Sequence, residues 1–360
     1  MWVDLLIILI KTLFLISCIL GLTSFLTWQE RKQSAVMQDR IGANRAPIFG
    51  IRAFGLPHIF ADAIKMFFKE DYVPPGADKF LHTIAPFLAV FFALMSFAAI
   101  PFGDAITVAG RRVELQVFPL NVGLLFVFAM MSMGIYGTFL AGFSSNNKFA
   151  FLGGLRASSQ MISYEITMGA TLVGLFMIYG TLDLAELTRS QGALLWGWLP
   201  KWGIFLQPVG FVLFLVAGFA ETKRVPFDLP EGESEIIGYF VEYSSMKFGA
   251  FFMTDFVETI LVAALITTLF FGGWQVPYLM SDGFHFPWGS VHAAGPALVT
   301  VLQILAFGLK VFVFCWFLLL IRWTLPRFRY DQLMHLGWKI LLPISILNIF
   351  VTGFILLLRS

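Results

Sequence analysis

Eight predominantly apolar stretches, at about 3–27, 84–105, 115–143, 161–180, 204–222, 248–272, 296–321 and 338–358, constrain this chain more than any other feature. A helix of about 20 residues crosses the roughly 30 Å hydrocarbon core of a bilayer. Within that core only helices or closed barrels satisfy their own backbone groups. The pattern predicts an all-α polytopic membrane protein, a single transmembrane domain over 1–360 with about eight transmembrane helices. Composition points the same way: 58% of residues are hydrophobic and 13% charged, against about 25% charged in a soluble domain. The mean hydropathy of +0.82 agrees. Pro86, Pro101 and Pro119 fall near the ends of their stretches, where proline is tolerated. The first stretch lacks a basic leader and a cleavage signal, so it reads as a retained helix.

Orientation follows from the basic residues. The segments 27–85, 142–160, 223–247 and 322–339 carry 17 Lys and Arg, and the opposite side carries 5. This asymmetry places the four basic segments in the cytoplasm and both termini outside. No internal repeat is visible, which weakens an inverted-repeat transporter reading.

The scarce ligand-forming residues exclude several cofactors. Cys18 and Cys315 lie inside apolar runs and lack the spacing of a cluster site, which takes about four thiolates. The five histidines fall in loops or near helix ends. No GxGxxG, GxxxxGK[ST] or HExxH pattern occurs. The chain is thus expected to bind no nucleotide or metal by itself, and any electron carriers belong to other subunits. The net charge of +2 gives no sign of nucleic-acid binding.

Two cytoplasmic segments carry most of the informative polarity. In the first, Ile59, Phe60, Ala63, Ile64, Phe67 and Phe68 recur at helical spacing, with His58, Asp62, Lys65, Lys69 and Glu70 on the other side. This is the pattern of an amphipathic helix lying along the interface. It serves either as a plain surface anchor or as a roof over a cavity for an amphipathic ligand. In the second, Asp228, Glu231, Glu233, Glu235 and Glu242 follow Lys223 and Arg224. Such a loop is a solvated face, a calcium site, or a docking surface with a proton-carrying rim; composition does not rank these.

Glu165, Glu221, Asp255, Glu258 and Lys310 fall within or at the ends of the apolar stretches. A charge near mid-membrane costs about 2.5–3.5 kcal/mol on insertion scales and marks function by default. Glu258 lies ten residues after Phe248, roughly 15 Å deep at about 1.5 Å per residue. Lys310 lies eleven residues before Ile321, about 16 Å from the same face by the same rise. The two are expected to pair, with Asp255 one turn from Glu258. The acids then form a descent from cytoplasm to bilayer centre, as a proton relay requires. The alternative is a set of buried ion pairs that fix helix register.

Several motifs carry a family resemblance: Glu30-Arg31-Lys32 with Gln38-Asp39-Arg40-Ile41-Gly42, Asp62 through Glu70, Ser145-Asn146-Asn147-Lys148, Leu155-Arg156-Ala157 with Ile162-Ser163-Tyr164-Glu165, Glu221 through Leu229, Glu242-Tyr243-Ser244, and Arg322 through Asp331. Together they resemble the H subunit of NADH-quinone oxidoreductase, the complex I subunit 1 family, from about residue 28 to 343. The match departs at Ala43-Asn44-Arg45-Ala46. The resemblance implies an eight-helix membrane-arm subunit that helps form a quinone chamber and couples quinone reduction to proton translocation. NADH, FMN and iron–sulfur clusters would sit on partner subunits, with hydrophilic-arm and other membrane-arm subunits as neighbours. It further implies that Arg31, Asp62, Lys65, Phe227, Asp228, Glu231, Glu233 and Glu235 line the chamber or its access passage. Glu165, Glu221 and Glu258 would match the family's intramembrane glutamate path, alongside Asp255 and Lys310 from the depth argument. The implied location is a bacterial cytoplasmic (inner) membrane. Membrane-bound hydrogenases and plastoquinone-reducing complexes have a similar subunit; the full acidic loop around Pro226-Phe227-Asp228-Leu229 favours the quinone enzyme. An ion-coupled transporter is the more distant alternative.

Overall fold

A computed structural model describes residues 2–108, 110–195, 197–232, 235–280, 283–285 and 291–359. Its long helices are α1 (Trp2–Met37), α3 (Lys79–Ser96), α4 (Gly123–Ser144), α5 (Lys148–Tyr179), α9 (Ser245–Phe270) and α10 (Pro296–Thr324). A last helix runs from α11 (Tyr330–His335) through a π turn at Leu336–Leu341 into α12 (Leu342–Arg359). These seven are long and apolar enough to cross a bilayer. An eighth apolar helix, α8 (Pro208–Glu221), has 14 residues and is preceded by the one-turn α7 (Gly203–Leu206). Shorter helices are α2 (Pro57–Phe68) and α6 (Leu184–Gln191). At the end opposite the basic segments lie antiparallel β1 (Ile106–Val108) with β2 (Arg111–Val113), β3 (Leu194–Leu195) with β4 (Leu199–Pro200), and β5 (Leu279–Met280), β6 (Gly283–His285) and β7 (Val291–Ala293) as one small sheet.

The observed boundaries differ from the hydropathy boundaries for local reasons. α1 continues past Thr27 to Met37 because the polar residues there are good helix formers, and it stops before Asp39, whose φ is +51°. The third span starts at Gly123 instead of 115. Residues 115–118 form a bent, non-helical segment instead, with Phe102 N–H donating to the Leu115 carbonyl and Phe118 N–H to that of Ala98. α5 starts at Lys148, capped by the Asn147 side chain accepting from Phe149 N–H, and ends at Gly180 with φ +72°. α8 is short because the chain breaks at Gln207, just before Pro208.

α9 sits at the centre. From Phe256 to Phe270 its residues are buried except for the partly exposed Glu258, as expected of a helix hydrophobic all round. α3 and α10 pack on it; α4 packs on α3, α5 on α4, and α8 and α12 on α5. The outward faces of α1, α10 and α12 expose rows of large apolar residues, among them Leu9, Leu13, Leu305, Leu309, Phe350 and Phe354. All four basic segments meet at one end. Ser244 Oγ donates to the Glu70 carbonyl, Asp78 N–H to that of Ser144, and Phe328 N–H to that of Pro226.

α3 and α4 approach closely where a Cβ at Gly137 would stand 2.7 Å from the Ala89 nitrogen. Gly137→Ala is therefore expected to destabilise by about 1–3 kcal/mol through overpacking. Gly169→Ala, with nothing within 4 Å of its Cβ, should not lower stability. Thermal denaturation of the purified protein compares the two; equal midpoints would contradict this packing.

Candidate functional site

Pro57 opens α2 at a position where its missing N–H is harmless, and the helix ends as Lys69 turns extended. Its apolar outer face, with Phe60, Ile64, Phe67 and Phe68, is exposed. Its inner face approaches α1 and α9; a Cβ at Gly249 of α9 would lie 2.8 Å from the Met66 sulfur. Asp62 accepts a hydrogen bond from the Arg31 guanidinium of α1 and lies 3.9 Å from Lys65 Nζ. Beneath this pair is a cavity of about 400 Å³ between α1, α2 and α9. Met66, Met253, Phe248, Phe252 and Phe256 supply much of its wall, with Thr23, Thr27, Arg31 and Asp62 as polar points. A largely apolar cleft of this volume with a few convergent polar groups has the character of a small-molecule pocket.

Phe248 and Phe252 also wall a second, polar cavity of about 230 Å³, lined by Arg224, Asp228, Glu231, Asp255 and Arg322. The acidic loop is pinned beside it. Phe227 is buried, its ring 5.4 Å from Phe328 and 5.9 Å from Phe219. Gln160 Nε2 donates to the Ala220 and Phe227 carbonyls at 2.7 and 2.8 Å. Arg327 donates to Asp228. Glu30 of α1 takes both Arg224, at 3.0 Å, and Arg322 of α10. Burial pushes the Asp228 carboxyl up to about 6, although Arg327 beside it pulls the other way. Glu231 is raised well above the usual carboxylate range by burial and by neighbouring Asp255 and Asp228.

Below the polar cavity stands Lys223, its side chain fully buried, with Nζ 3.0 and 3.2 Å from the two Glu258 oxygens and 3.6 Å from Asp255. Burial alone would lower the pKa of this ammonium, but Glu258 and Asp255 more than offset that and hold it raised. Asp255 lines the polar cavity, while Glu258 and Glu221 line a void of about 10 Å³ on the far side, beside Met131 and Met161. Glu221 is buried, and its carboxylate makes no hydrogen bond among the described residues. Glu165 accepts from Ser132 Oγ across the α4–α5 contact and acts electrostatically on Glu221.

The structure therefore draws together Arg31 with Asp62, and Asp228, Glu231 and Asp255 with Glu258, Glu221 and Glu165. Phe227 anchors the loop and lines neither cavity. Glu235 pairs with Arg156 at 2.6 Å, away from both cavities, and Glu233 lies outside the described residues. The expected Glu258–Lys310 pair does not form. Lys310 Nζ instead donates to the Phe271, Gly273 and Gln275 carbonyls at 2.7–3.0 Å, beyond the end of α9. Three acceptors satisfy its three donors, and a cation there complements the negative helix end. That end, Phe270, lies twelve residues past Glu258, about 18 Å along the helix. Depth along α10 thus did not predict which part of α9 Lys310 meets. Sequence reasoning also missed Lys223, Arg224, Glu30 and Arg327 as partners; the signals were the basic pair beside the acidic loop and the motifs that contain Glu30 and Arg327. Among the described residues, no group of three or more His, Cys, Asp or Glu is placed to hold a metal.

Comparison with known proteins bears on this geometry. Residues 10–353 match the family described as NADH dehydrogenase. The chain is 43% identical to the NADH-quinone oxidoreductase H subunit 1 of Cytophaga hutchinsonii over 352 residues, 98% of this chain and 96% of that protein. It is equally similar to the NADH-quinone oxidoreductase H subunit of Flavobacterium psychrophilum, with the same coverage. Against the NADH-quinone oxidoreductase H subunit 1 of Geobacter metallireducens the identity is 43% over 357 residues, 99% and 98% of the two chains.

Asp228 gives a pH test. Folded, it titrates near 6; its usual value is 3.8, so between these values the folded state binds more protons than the unfolded. Its contribution to stability accordingly falls as pH rises through that window. Removing the neighbouring cation in Arg327→Gln should move its midpoint above 6. Infrared difference spectra, with Asp228→Asn assigning the carboxyl band, read that midpoint; a downward move would contradict the electrostatics.

Proposed function

The chain belongs to the family of NADH-quinone oxidoreductase H subunits, membrane-arm components of respiratory complex I, and on that premise we propose that its apolar cavity admits quinone and its acids couple quinone reduction to proton movement. The observation that carries this reading is the wall of Phe248 and Phe252, shared by the apolar cavity and the acid-lined polar one. A quinone tail suits the methionine- and phenylalanine-rich side, and Arg31 with Asp62 provides polar contact beside α2. Reducing a quinone to quinol takes up two electrons and two protons. The electrons come from carriers in the hydrophilic arm, where NADH, FMN and iron–sulfur clusters are also held. The charge change acts on Asp228, Glu231 and Asp255, and through them on Glu258, Glu221 and Glu165.

Hydrophilic-arm subunits cover the basic end and close the quinone chamber with this chain. Other membrane-arm subunits and lipid meet the exposed apolar faces. The asymmetry of Lys and Arg supports an orientation in a bacterial inner membrane with the basic end in the cytoplasm and both termini in the periplasm.

Two variants test this reading in inverted membrane vesicles. Glu258→Gln should assemble and keep NADH–ferricyanide electron transfer, yet lose most proton pumping; full pumping would refute the assignment. Asp62→Lys sets a second cation against Arg31 and should slow quinone reduction about ten-fold or more, the scale of a lost charged hydrogen bond. Ferricyanide reduction should be spared, and equal loss of both activities would mean failed assembly.

A further inference from the structure

Lys223 has no role in the reading so far, although its position invites one. It follows the end of α8 with a φ of +55°, a conformation that residues with side chains rarely adopt. Its side chain is fully buried and its ammonium meets two carboxylates. These stand on successive turns of α9 and face different spaces: Asp255 the polar cavity, Glu258 the void that also holds Glu221. A proton passing from Asp255 to Glu258 on its way to Glu221 therefore moves beside the ammonium that touches both.

The groups around it set the charge balance. Its own segment brings Glu221, Arg224 and Glu231, and α9 brings Asp255 and Glu258; Glu165 of α5 acts on Glu221. Arg224 is engaged by Glu30 of α1, which also holds Arg322 of α10. One ammonium with two carboxylates bears one net negative charge. A single added proton makes the triad neutral, and a low-dielectric site favours that state. The ammonium then belongs beside whichever carboxylate is still charged.

We infer that Lys223 is a positioning residue that turns proton transfer from Asp255 to Glu258 into a charge exchange. As the proton leaves the Asp255 carboxyl and arrives on the Glu258 carboxylate, the ammonium swings from Glu258 to Asp255, and the triad keeps its total charge. When Glu258 passes the proton on to Glu221, the ammonium returns. The observed seat on Glu258, at 3.0 and 3.2 Å, with Asp255 at 3.6 Å, is the arrangement in which Asp255 receives a proton from the cavity.

This inference rests on the proton-coupling role proposed above, and its test separates the two. In complex assembled with Lys223→Met, NADH–ferricyanide activity should persist while protons pumped per NADH fall several-fold. Loss of the ammonium removes the charge that balances the two carboxylates, so the pH profile of quinone reduction should shift by about one unit or more. Wild-type pumping with an unmoved profile would overturn the inference. If the single variant fails to assemble, Lys223→Met with Asp255→Asn removes one charge of each sign; it should assemble but not pump. A pumping double variant would overturn the inference, and so would one that fails to assemble, because charge balance would then not govern the triad. A normally pumping Glu258→Gln protein overturns the coupling role itself. An uncoupled Glu258→Gln beside a normal Lys223→Met overturns only the exchange.

Discussion

A charge removed from water must find an opposite charge or hydrogen-bond partners, and the basic end of this protein is arranged around that requirement. Lys223 is answered by Asp255 and Glu258, Arg224 and Arg322 by Glu30, and Arg327 by Asp228. Each pair joins elements distant in sequence, so α1, α9, α10 and the acidic loop share one electrostatic framework. Aromatic stacking at Phe227 and Phe328 and the amide of Gln160 fill in between the charges. The two cavities lie within this framework, and their walls are held by the same contacts that hold the helices together.

Glu221 is the exception. It is buried, and no described residue hydrogen-bonds its carboxylate. Glu165 and Glu258 act on it from two sides, one tied to Ser132 and the other to Lys223.

The amphipathic α2 was legible because six apolar residues keep a helical period that no tertiary contact had to reveal. The spans were legible as apolar mass but not as boundaries: Leu115, Gln116 and Val117 are buried in a bent, non-helical segment, and hydropathy does not distinguish that from the start of a helix. The acidic loop and the intramembrane acids stood out because charge is rare in this chain. Their partners did not, because Lys223 and Glu258 are 35 residues apart, and nothing local encodes that contact. Lys310 shows the same limit from the other direction: distance along a helix fixes depth only if tilt and facing are known. The packing of Phe227 on Phe219 and Phe328 likewise has no local signal, since the three rings come from separate elements.

Three features of α1 bear on one another. It is a single proline-free helix of 36 residues, about 54 Å long. Near its start Lys11 is tied to the carbonyls of Glu114 and Gln116, and near its finish Glu30 and Arg31 are tied into the cavity walls. Such a rod fastened at both ends cannot shift lengthwise at one without loading the other. Any rearrangement of the cavity that tugs on Arg31 is felt as tension on the far side of the membrane, with no hinge in between to absorb it.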